Sequence, residues 1–443
     1  MYKNKRNKSF IFIVNTRNIC LSYCIYVLYI KKISLMKKLV LLLLPLLPLA
    51  ACEEPETKQL KDAEPITLKA GMEKRVQQDN AFAFDLFRQV LISNADEKNI
   101  FISPLSVSIA LGMTWNGAKG ETKSEMETAL KMSGMTVDQI NEYYQIMLST
   151  LPKIDPSTKL SIANSIWPKE GYPVKPDFLR VNQDYFNAEV QALDFSKPEA
   201  LKTINDWCAR KTNDLIKDPL EQIPANAIMY LINAIYFKGI WATKFDSKNT
   251  TTADFHAEGG NIVKAQMMRQ ETSFDYYEDE SAQYLDMPYG NKAFSMTVIL
   301  PRENKTTAEV VNELNTEKWN DVVDRLYPQE VQVSLPKFKT KGKYELKDPL
   351  IQMGMRKAFD PSADFTGIAD DDLMISGIIH STYCDVNEEG TEAAAVTIVE
   401  VIKDSMPEIL TFNANRPFIF VIREKSTGVI LFMGKMGQVE LYK

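Results

Sequence analysis

Histidine, the residue that enzymes use most often as a general acid or base, is scarce in this sequence. It contains two histidines, His256 and His380, and no G-x-S-x-G, H-E-x-x-H, G-x-G-x-x-G, P-loop or paired C-x-x-C motif. His380 lies in an apolar stretch, which is more typical of a core residue than of a catalytic base. The acidic clusters at 278–280 and 370–372 lack the glycine and the distal glutamate of a calcium-binding loop. We therefore expect no catalytic residue, no metal site and no cofactor, which argues against an enzyme such as a hydrolase.

One segment, residues 385–407, carries conflicting local signals. Residues 391–395 favour a helix, whereas residues 396–402 favour a strand. With the period of a strand, every second residue from 391 onward is small or apolar, and Glu392 and Glu400 fall on the other face. Two interpretations are open from these residues alone: an edge strand, or a loop that is kept out of a sheet but is able to join it.

The N-terminus has the features of an export signal. Met36-Lys37-Lys38 is followed by an almost unbroken run of leucine, and then by Leu49-Ala50-Ala51-Cys52. This last motif resembles the lipobox of bacterial lipoproteins, in which the cysteine is lipidated. A plain signal peptide with an accidental cysteine is the alternative.

These features divide the chain into three parts. Residues 1–51 are predicted to be an upstream extension plus a removed signal peptide, with either Met1 or Met36 as the start. Residues 52–71 are predicted to be a lipidated tether, and residues 72–443 a single domain. We expect the protein to be exported and lipid-anchored to the bacterial envelope, at the outer membrane or cell surface, or released from it.

The charge is divided unevenly along the chain. Residues 1–51 carry nine Lys and Arg and no acidic residue, which leaves 43 basic against 58 acidic side chains, a net charge of −15, in the remainder. So acidic a body argues against nucleic acid as a partner. After Cys52 only Cys208 and Cys384 remain, and free buried thiols fit the sequence better than a pair between them.

Secondary-structure signals favour helices in the first half and strands in the second, which predicts an α+β domain. Ser103 and Pro104 indicate a helix N-terminus, and Thr122 with Glu125 matches a capping box for the next helix. Another helix is predicted over 201–215. Strands are predicted over residues 227–238, 296–300, 331–335, 418–422 and 429–433, the last two forming a hairpin.

Residues 76–436 resemble the serpins, a family of serine protease inhibitors. Five motifs carry this resemblance in the order of the family: residues 99–113 (NIFISPLSVSIALGM), 231–241 (LINAIYFKGIW), 335–350 (LPKFK followed by YELKDPL), 387–395 (NEEGTEAAA), and 415–420 with 431–435 (NRPFIF and LFMGK). With the lipobox, the chain is similar to the lipoprotein serpins of bacteria. The resemblance implies three β-sheets, about nine helices and an exposed reactive-centre loop.

The resemblance also implies a function. A serine protease, or in some cases a cysteine protease, attacks the loop and forms an acyl-enzyme. The cut loop then inserts into the central sheet and the protease is trapped. A target protease is therefore the expected partner of a monomeric protein. The alternative is a non-inhibitory serpin that acts as a surface binding or carrier module.

Site residues follow from the family's motifs. The implied hinge consists of Glu388, Glu389, Gly390, Thr391, Glu392, Ala393, Ala394 and Ala395. The implied shutter network, which bridges the parting strands, consists of Ser103, Ser106, Asn233 and His380. Trp241 corresponds to the residue near the breach, where the loop first enters.

The family's spacing also indicates the reactive bond. Seventeen residues counted from Glu388 end at Asp404, which places the bond between Asp404 and Ser405. Lys403 is the alternative on the acyl side, because cleavage after lysine is more common. The helix that binds heparin in some serpins maps to residues 139–149, which contain no Lys or Arg, so we do not expect heparin activation.

Overall fold

The computed structural model describes residues 61–391 and 409–442, and this part of the chain is built from nine α-helices and fifteen strands. The helices are α1 (Glu73–Ser93), α2 (Pro104–Trp115), α3 (Gly120–Ala129), α4 (Val137–Thr150), α5 (Pro176–Phe186), α6 (Pro198–Lys211), α7 (Thr307–Glu313), α8 (Thr316–Arg325) and α9 (Lys347–Gln352). The strands are β1 (Asn99–Ile102), β2 (Lys159–Pro168), β3 (Ala188–Val190), β4 (Met229–Ile240), β5 (Thr251–His256), β6 (Ile262–Glu278), β7 (Ala282–Pro288), β8 (Phe294–Pro301), β9 (Tyr327–Pro336), β10 (Phe338–Glu345), β11 (Ile379–Asn387), β12 (Gly390–Thr391), β13 (Leu410–Asn413), β14 (Phe418–Glu424) and β15 (Ile430–Met436).

These strands form two hydrogen-bonded sheets. The six-stranded sheet has the order β10-β11-β12-β4-β2-β3, and the nine-stranded sheet has the order β1-β15-β14-β8-β7-β6-β9-β13, with β5 paired to β6. The long strand β6 pairs with β5 through residues 262–267, with β9 through residues 267–276 and with β7 through residues 275–278. Two of the three implied sheets are thus continuous through β6. The α+β class is confirmed.

The start of α2 is the helix boundary that the sequence marks most clearly. The side chain of Ser103 accepts a hydrogen bond from the backbone N–H of Ser106 (3.2 Å), and Pro104 occupies the first helical position. Beyond this cap, α2 is almost wholly buried and packs against β4 and β15.

The predicted capping box at Thr122 and Glu125 is wrong. Helix α3 begins two residues before Thr122, which instead accepts a hydrogen bond from the backbone N–H of Asp364 (2.8 Å). The carboxylate of Glu125 accepts from the backbone N–H groups of Arg356 and Lys357 (2.7 and 2.5 Å). Both side chains therefore hold a distant loop, a tertiary role that local spacing does not reveal.

The six-stranded sheet packs on both of its faces. On β4, the side chains of Ile235 and Phe237 point into the main core, whereas Ala234 points outward into a smaller apolar cluster under α6. That outer cluster is built around Trp167 and Trp207, whose rings meet edge to face at 6.1 Å. The sheet is thus apolar on both faces near β4, as buried sheets are.

Residues 61–71, from the end of the predicted tether, lie against the domain. Ile66 is 8% exposed, and its N–H donates to the side-chain oxygen of Ser426 (2.9 Å). The N–H of Ala63 donates to the carbonyl oxygen of Asn291 (3.1 Å). In the described part of the chain no helix is long and apolar enough to cross a membrane. Cys208 and Cys384 are both free and buried.

Candidate functional site

The short strand β12 occupies the position between β4 and β11. Gly390 and Thr391 pair with Ile240 and Gly239 on one side, and with Asn387 and Val386 on the other. Because β4 and β11 both pair with β12, they lie two strand spacings, about 9–10 Å, apart at the level of Gly390 and Thr391. Among the described residues, no ladder joins β4 directly to β11. We call residues 229–239 and 379–386 the β4–β11 boundary.

Gly390 is the residue that allows the chain to turn into this boundary. Its φ is +144°, and a Cβ atom placed there would lie 2.1 Å from the carbonyl oxygen of Gly239 and 2.7 Å from the Cα of Ile240. Any side chain would therefore collide with the backbone of β4. Only glycine fits this hinge position.

A Gly390→Ala variant is expected to release β12 from β4. The clash is with backbone, so relief requires the hinge to move, and hydrogen exchange in residues 386–391 should rise at least about tenfold. Gly428→Ala is the matched control, because φ there is +78° but a Cβ atom would meet no atom within 4 Å. Equal exchange at the hinge in both variants would contradict this assignment.

Thr391, a residue of the hinge, contacts Tyr289, whose ring stacks on that of Trp241. It is 3% exposed, and its hydroxyl lies 2.8 Å from the hydroxyl of Tyr289. The ring of Tyr289 stacks on Trp241, with centroids 4.5 Å apart and planes inclined by 10°. Burial raises the pKa of Tyr289 well above its ordinary value, so its hydroxyl stays protonated. The side chain of Thr391 is therefore buried among uncharged groups.

Trp241 and its neighbour Phe245 hold the turn that precedes Gly390. The indole Nε1 of Trp241 donates to the carbonyl oxygen of Asn387 (3.0 Å), and its backbone N–H donates to that of Glu389 (2.7 Å). The N–H of Phe245 donates to the carbonyl oxygen of Glu388 (3.0 Å). Three consecutive carbonyl groups, those of residues 387–389, are thus held by the segment that follows β4.

Two of the hinge glutamates, Glu388 and Glu389, form ion pairs with neighbouring segments. Glu388 pairs with Lys337 (2.9 Å) and accepts a hydrogen bond from the hydroxyl of Thr250 (2.8 Å). Burial acts to raise the pKa of Glu388, but the hydrogen bonds from these two partners outweigh it, so that the pKa is lowered overall. Glu389 pairs with Lys244 (2.7 Å). These contacts anchor the hinge on both sides of the β4–β11 boundary.

The predicted shutter residues meet below the hinge. The backbone N–H of Ser103 donates to Nε2 of His380 (2.9 Å), and the hydroxyl of Ser103 donates to the carbonyl oxygen of Leu431 (2.7 Å). The hydroxyl of Ser106 donates to Oδ1 of Asn233. Helix α2 thus contacts β4 through Asn233 and β11 through His380, the two strands that flank the boundary.

Burial lowers the pKa of His380 to about 4. The unfolded chain therefore binds a proton between pH 6.5 and 4 that the native chain does not, so native stability falls as the pH drops through this window. We expect a loss of about 3 kcal/mol from this residue. The melting temperature of His380→Gln, whose amide oxygen accepts the same hydrogen bond without titrating, should depend less on pH. A slope identical to that of the wild type would refute this.

Sequence reasoning missed several partners of the hinge. Asn164 on β2 extends the shutter, because its Oδ1 accepts from Nδ2 of Asn233 (2.7 Å). Tyr289 reaches the hinge from far along the chain and carries no local signal. Lys337 lies in the LPKFK motif, but nothing in that motif connects it to Glu388. Pairing of Asn164 with Asn233 across β2 and β4 could have been expected only once the register was known.

Several predicted site residues lie outside the described residues. They are Cys52, Glu392, Ala393, Ala394, Ala395, Lys403, Asp404 and Ser405. The described site therefore consists of the first half of the hinge, the breach and the shutter.

Comparison with known proteins agrees with this architecture. The serpin (serine protease inhibitor) family model matches residues 77–439. The leukocyte elastase inhibitor of Sus scrofa is 36% identical over 380 residues, which cover 83% of this chain and 100% of that protein.

Two solved structures have the same fold. Native tengpin, a thermophilic serpin, superposes with a TM-score of 0.77 at 35% identity and covers 86% of this chain and 98% of its own. Human thyroxine-binding globulin complexed with thyroxine gives a TM-score of 0.75 at 29% identity, with coverages of 83% and 99%. Serpins are in general protease inhibitors rather than catalytic enzymes. This chain belongs to the serpin family.

Proposed function

We propose that this serpin is a suicide-substrate inhibitor of serine proteases, with cysteine proteases as a further target class. The observation that carries the proposal is β12: the hinge already forms a strand between β4 and β11, with Thr391 buried at its end. In this proposal β12 is the first step of sheet insertion, made by the last described residues before the reactive loop. Cleavage of the loop frees the chain to continue in the same direction.

Continuing the pairing of β12 residue by residue gives the register of the inserted loop. Ala393 then falls between Phe237 and Cys384, both of which point into the core. Ala395 falls two residues further along the same face. Small side chains at these positions enter past the aromatic core with little steric barrier.

The same register brings Thr397 between Asn233 and His380. These two residues already lie on either side of the boundary, each bonded to α2. The hydroxyl of Thr397 is a hydrogen-bond donor and acceptor of the right type for both. The shutter would thus be joined across the boundary by the inserting strand.

On the outer face, Val396 aligns with Ala234 and Ile398 with Ile232. Both β4 residues belong to the apolar cluster beneath α6. Burying two branched side chains there contributes roughly 3–5 kcal/mol toward insertion. Both faces of the strand would therefore gain contacts, which supplies the driving force for trapping the protease.

The chemical step belongs to the protease. Its serine oxygen attacks the carbonyl carbon of Asp404, or of Lys403, the peptide bond breaks, and the amine of the next residue leaves with a proton. The acyl ester remains joined to the loop while the loop inserts. Displacement of the protease from its own catalytic geometry then prevents water from completing hydrolysis.

We also propose that lipidation at Cys52 anchors the inhibitor to a bacterial envelope, at the outer membrane or cell surface. The lipobox and the basic, leucine-rich segment before it support this. Metabolic labelling with a fatty acid tests the anchor: the wild type should be labelled and Cys52→Ser should not. Label on both would refute it.

Covalent trapping tests the inhibitor proposal. Residues 53–443 are mixed with trypsin-like, elastase-like and Asp-specific serine proteases and run on denaturing gels. We expect a covalent band together with a released 39-residue peptide that starts at Ser405, or a 40-residue peptide that starts at Asp404 if Lys403 forms the acyl bond. Cleavage by every protease without a covalent band would refute inhibition.

A binding or carrier role is the second candidate, because thyroxine-binding globulin has the same fold at 29% identity. A binding or carrier role predicts that proteases cleave the loop without forming a covalent complex. Heparin activation is not part of either proposal, because α4 (Val137–Thr150) has no Lys or Arg.

A further inference from the structure

The segment after β15 runs from β1 to the neighbouring strands β10 and β11, close to the hinge. The N–H groups of Gly437 and Gln438 donate to Oδ1 of Asn99 (3.0 Å each), and Val439 is 2% exposed. These contacts fix the start of the segment to β1. Its far end, Tyr442, lies beside β10 and β11.

Tyr442 contacts the base of the hinge directly. Its hydroxyl donates to Oδ1 of Asp385 (2.6 Å), and Nδ2 of Asn387 lies 3.4 Å from the same hydroxyl oxygen. Asn387 is the residue whose carbonyl oxygen Trp241 holds. One side chain near the C-terminus thus touches two residues of β11, within five residues of Gly390.

The ring of Tyr442 also lies over two lysines, Lys337 between β9 and β10 and Lys339 on β10. Nζ of Lys337 lies 4.2 Å, and Nζ of Lys339 4.5 Å, from the ring centroid. Lys337 is the partner of Glu388, and Lys339 pairs with Asp385 (3.3 Å). The ring therefore holds both ammonium groups where they meet the carboxylates of Glu388, in the hinge, and Asp385, on β11.

We propose that Gly437–Tyr442 is a strap that positions the hinge, with Tyr442 as its positioning residue. The strap joins β10, β11 and the turn before Gly390 into one rigid base, so that the loop enters the sheet from a fixed pivot. Its importance for inhibition depends on the proposed function, but its effect on the hinge does not.

Hydrogen exchange followed by mass spectrometry tests the strap without any protease. In Tyr442→Ala, exchange in residues 385–391 should rise about tenfold, because a charge-assisted hydrogen bond and two cation–π contacts are lost. Tyr442→Phe, which keeps the ring, should show a smaller rise of about two- to fivefold. Exchange in β14 and β15 should stay unchanged in both variants.

Leu441→Ala is the matched control, because the side chain of Leu441 is 50% exposed. Wild-type exchange at the hinge in Tyr442→Ala, or an equal rise in Leu441→Ala, would overturn the strap. A covalent-complex assay on the same variants separates the two proposals. If neither the wild type nor any variant traps a protease but hydrogen exchange changes as expected, the inhibitor proposal fails and the strap proposal stands.

Discussion

Under the proposed mechanism, replacing Thr391 by arginine is expected to turn the protein from an inhibitor of its target protease into a substrate. Thr391 is buried between β4 and β11, in contact with the protonated hydroxyl of Tyr289. A guanidinium group there would be buried without a carboxylate partner, at a cost of several kcal/mol. If about 3 kcal/mol of this cost is felt in the transition state, insertion slows more than a hundredfold.

In the proposed mechanism, hydrolysis of the acyl-enzyme competes with loop insertion, so slower insertion changes the outcome of the reaction. We expect Thr391→Arg to be cleaved at the wild-type rate while the covalent band falls to a trace. Thr391→Ser, which keeps the hydroxyl bond to Tyr289, is the control and should retain most of the covalent product. A Thr391→Arg chain that still traps protease as well as the control would contradict the role of this residue.

Reversing the charge of Glu388 is expected to destabilise the native hinge. The Lys337–Glu388 pair is 2.9 Å long, and both side chains are only 14% exposed. Glu388→Lys would place two ammonium groups together in a poorly solvated site, which we expect to cost about 3 kcal/mol. The hydroxyl of Thr250 would also lose the carboxylate to which it donates.

The matched test is a double-mutant cycle. The single variants Glu388→Lys and Lys337→Glu should each lose native protein faster than the wild type at 37 °C, measured by native gels and by the inhibitory fraction over time. The double variant should recover about half of the loss, because the ion pair is restored with reversed polarity while the contact of Lys337 with the ring of Tyr442 is not. No recovery in the double variant would show that the two charges do not interact.

How far the sequence determines this fold depends on the range of each interaction. The cap of α2 is local, since Ser103 and Pro104 are adjacent, and the structure begins the helix there. Thr122 and Glu125 match an equally good local pattern, yet both side chains bind a loop more than two hundred residues away. A capping pattern therefore predicts a hydrogen bond but not which N–H group supplies it.

In the candidate site, too, local sequence patterns predict some features, whereas contacts between distant residues determine the others. The alternating pattern from Thr391 onward predicted a strand face that can be buried, and Thr391 lies buried in β12. Thr391 contacts Tyr289, which no spacing rule connects to the hinge. The proposed register, which would align Thr397 with His380 after insertion, is extrapolated from the observed pairing of Gly390 and Thr391. Family motifs indicated the shutter residues, but Asn164 and Tyr442 emerged only from the contacts.

The most direct test of the account is whether a cut loop enters the sheet. Melting temperature and hydrogen exchange of residues 229–239 and 379–386 are measured before and after one cleavage between residues 403 and 405. The account predicts that cleavage protects both segments and raises the melting temperature by more than about 10 °C, because a full strand joins the β4–β11 boundary. Unchanged exchange and an unchanged melting temperature after cleavage would contradict loop insertion, and with it the proposed mechanism of inhibition.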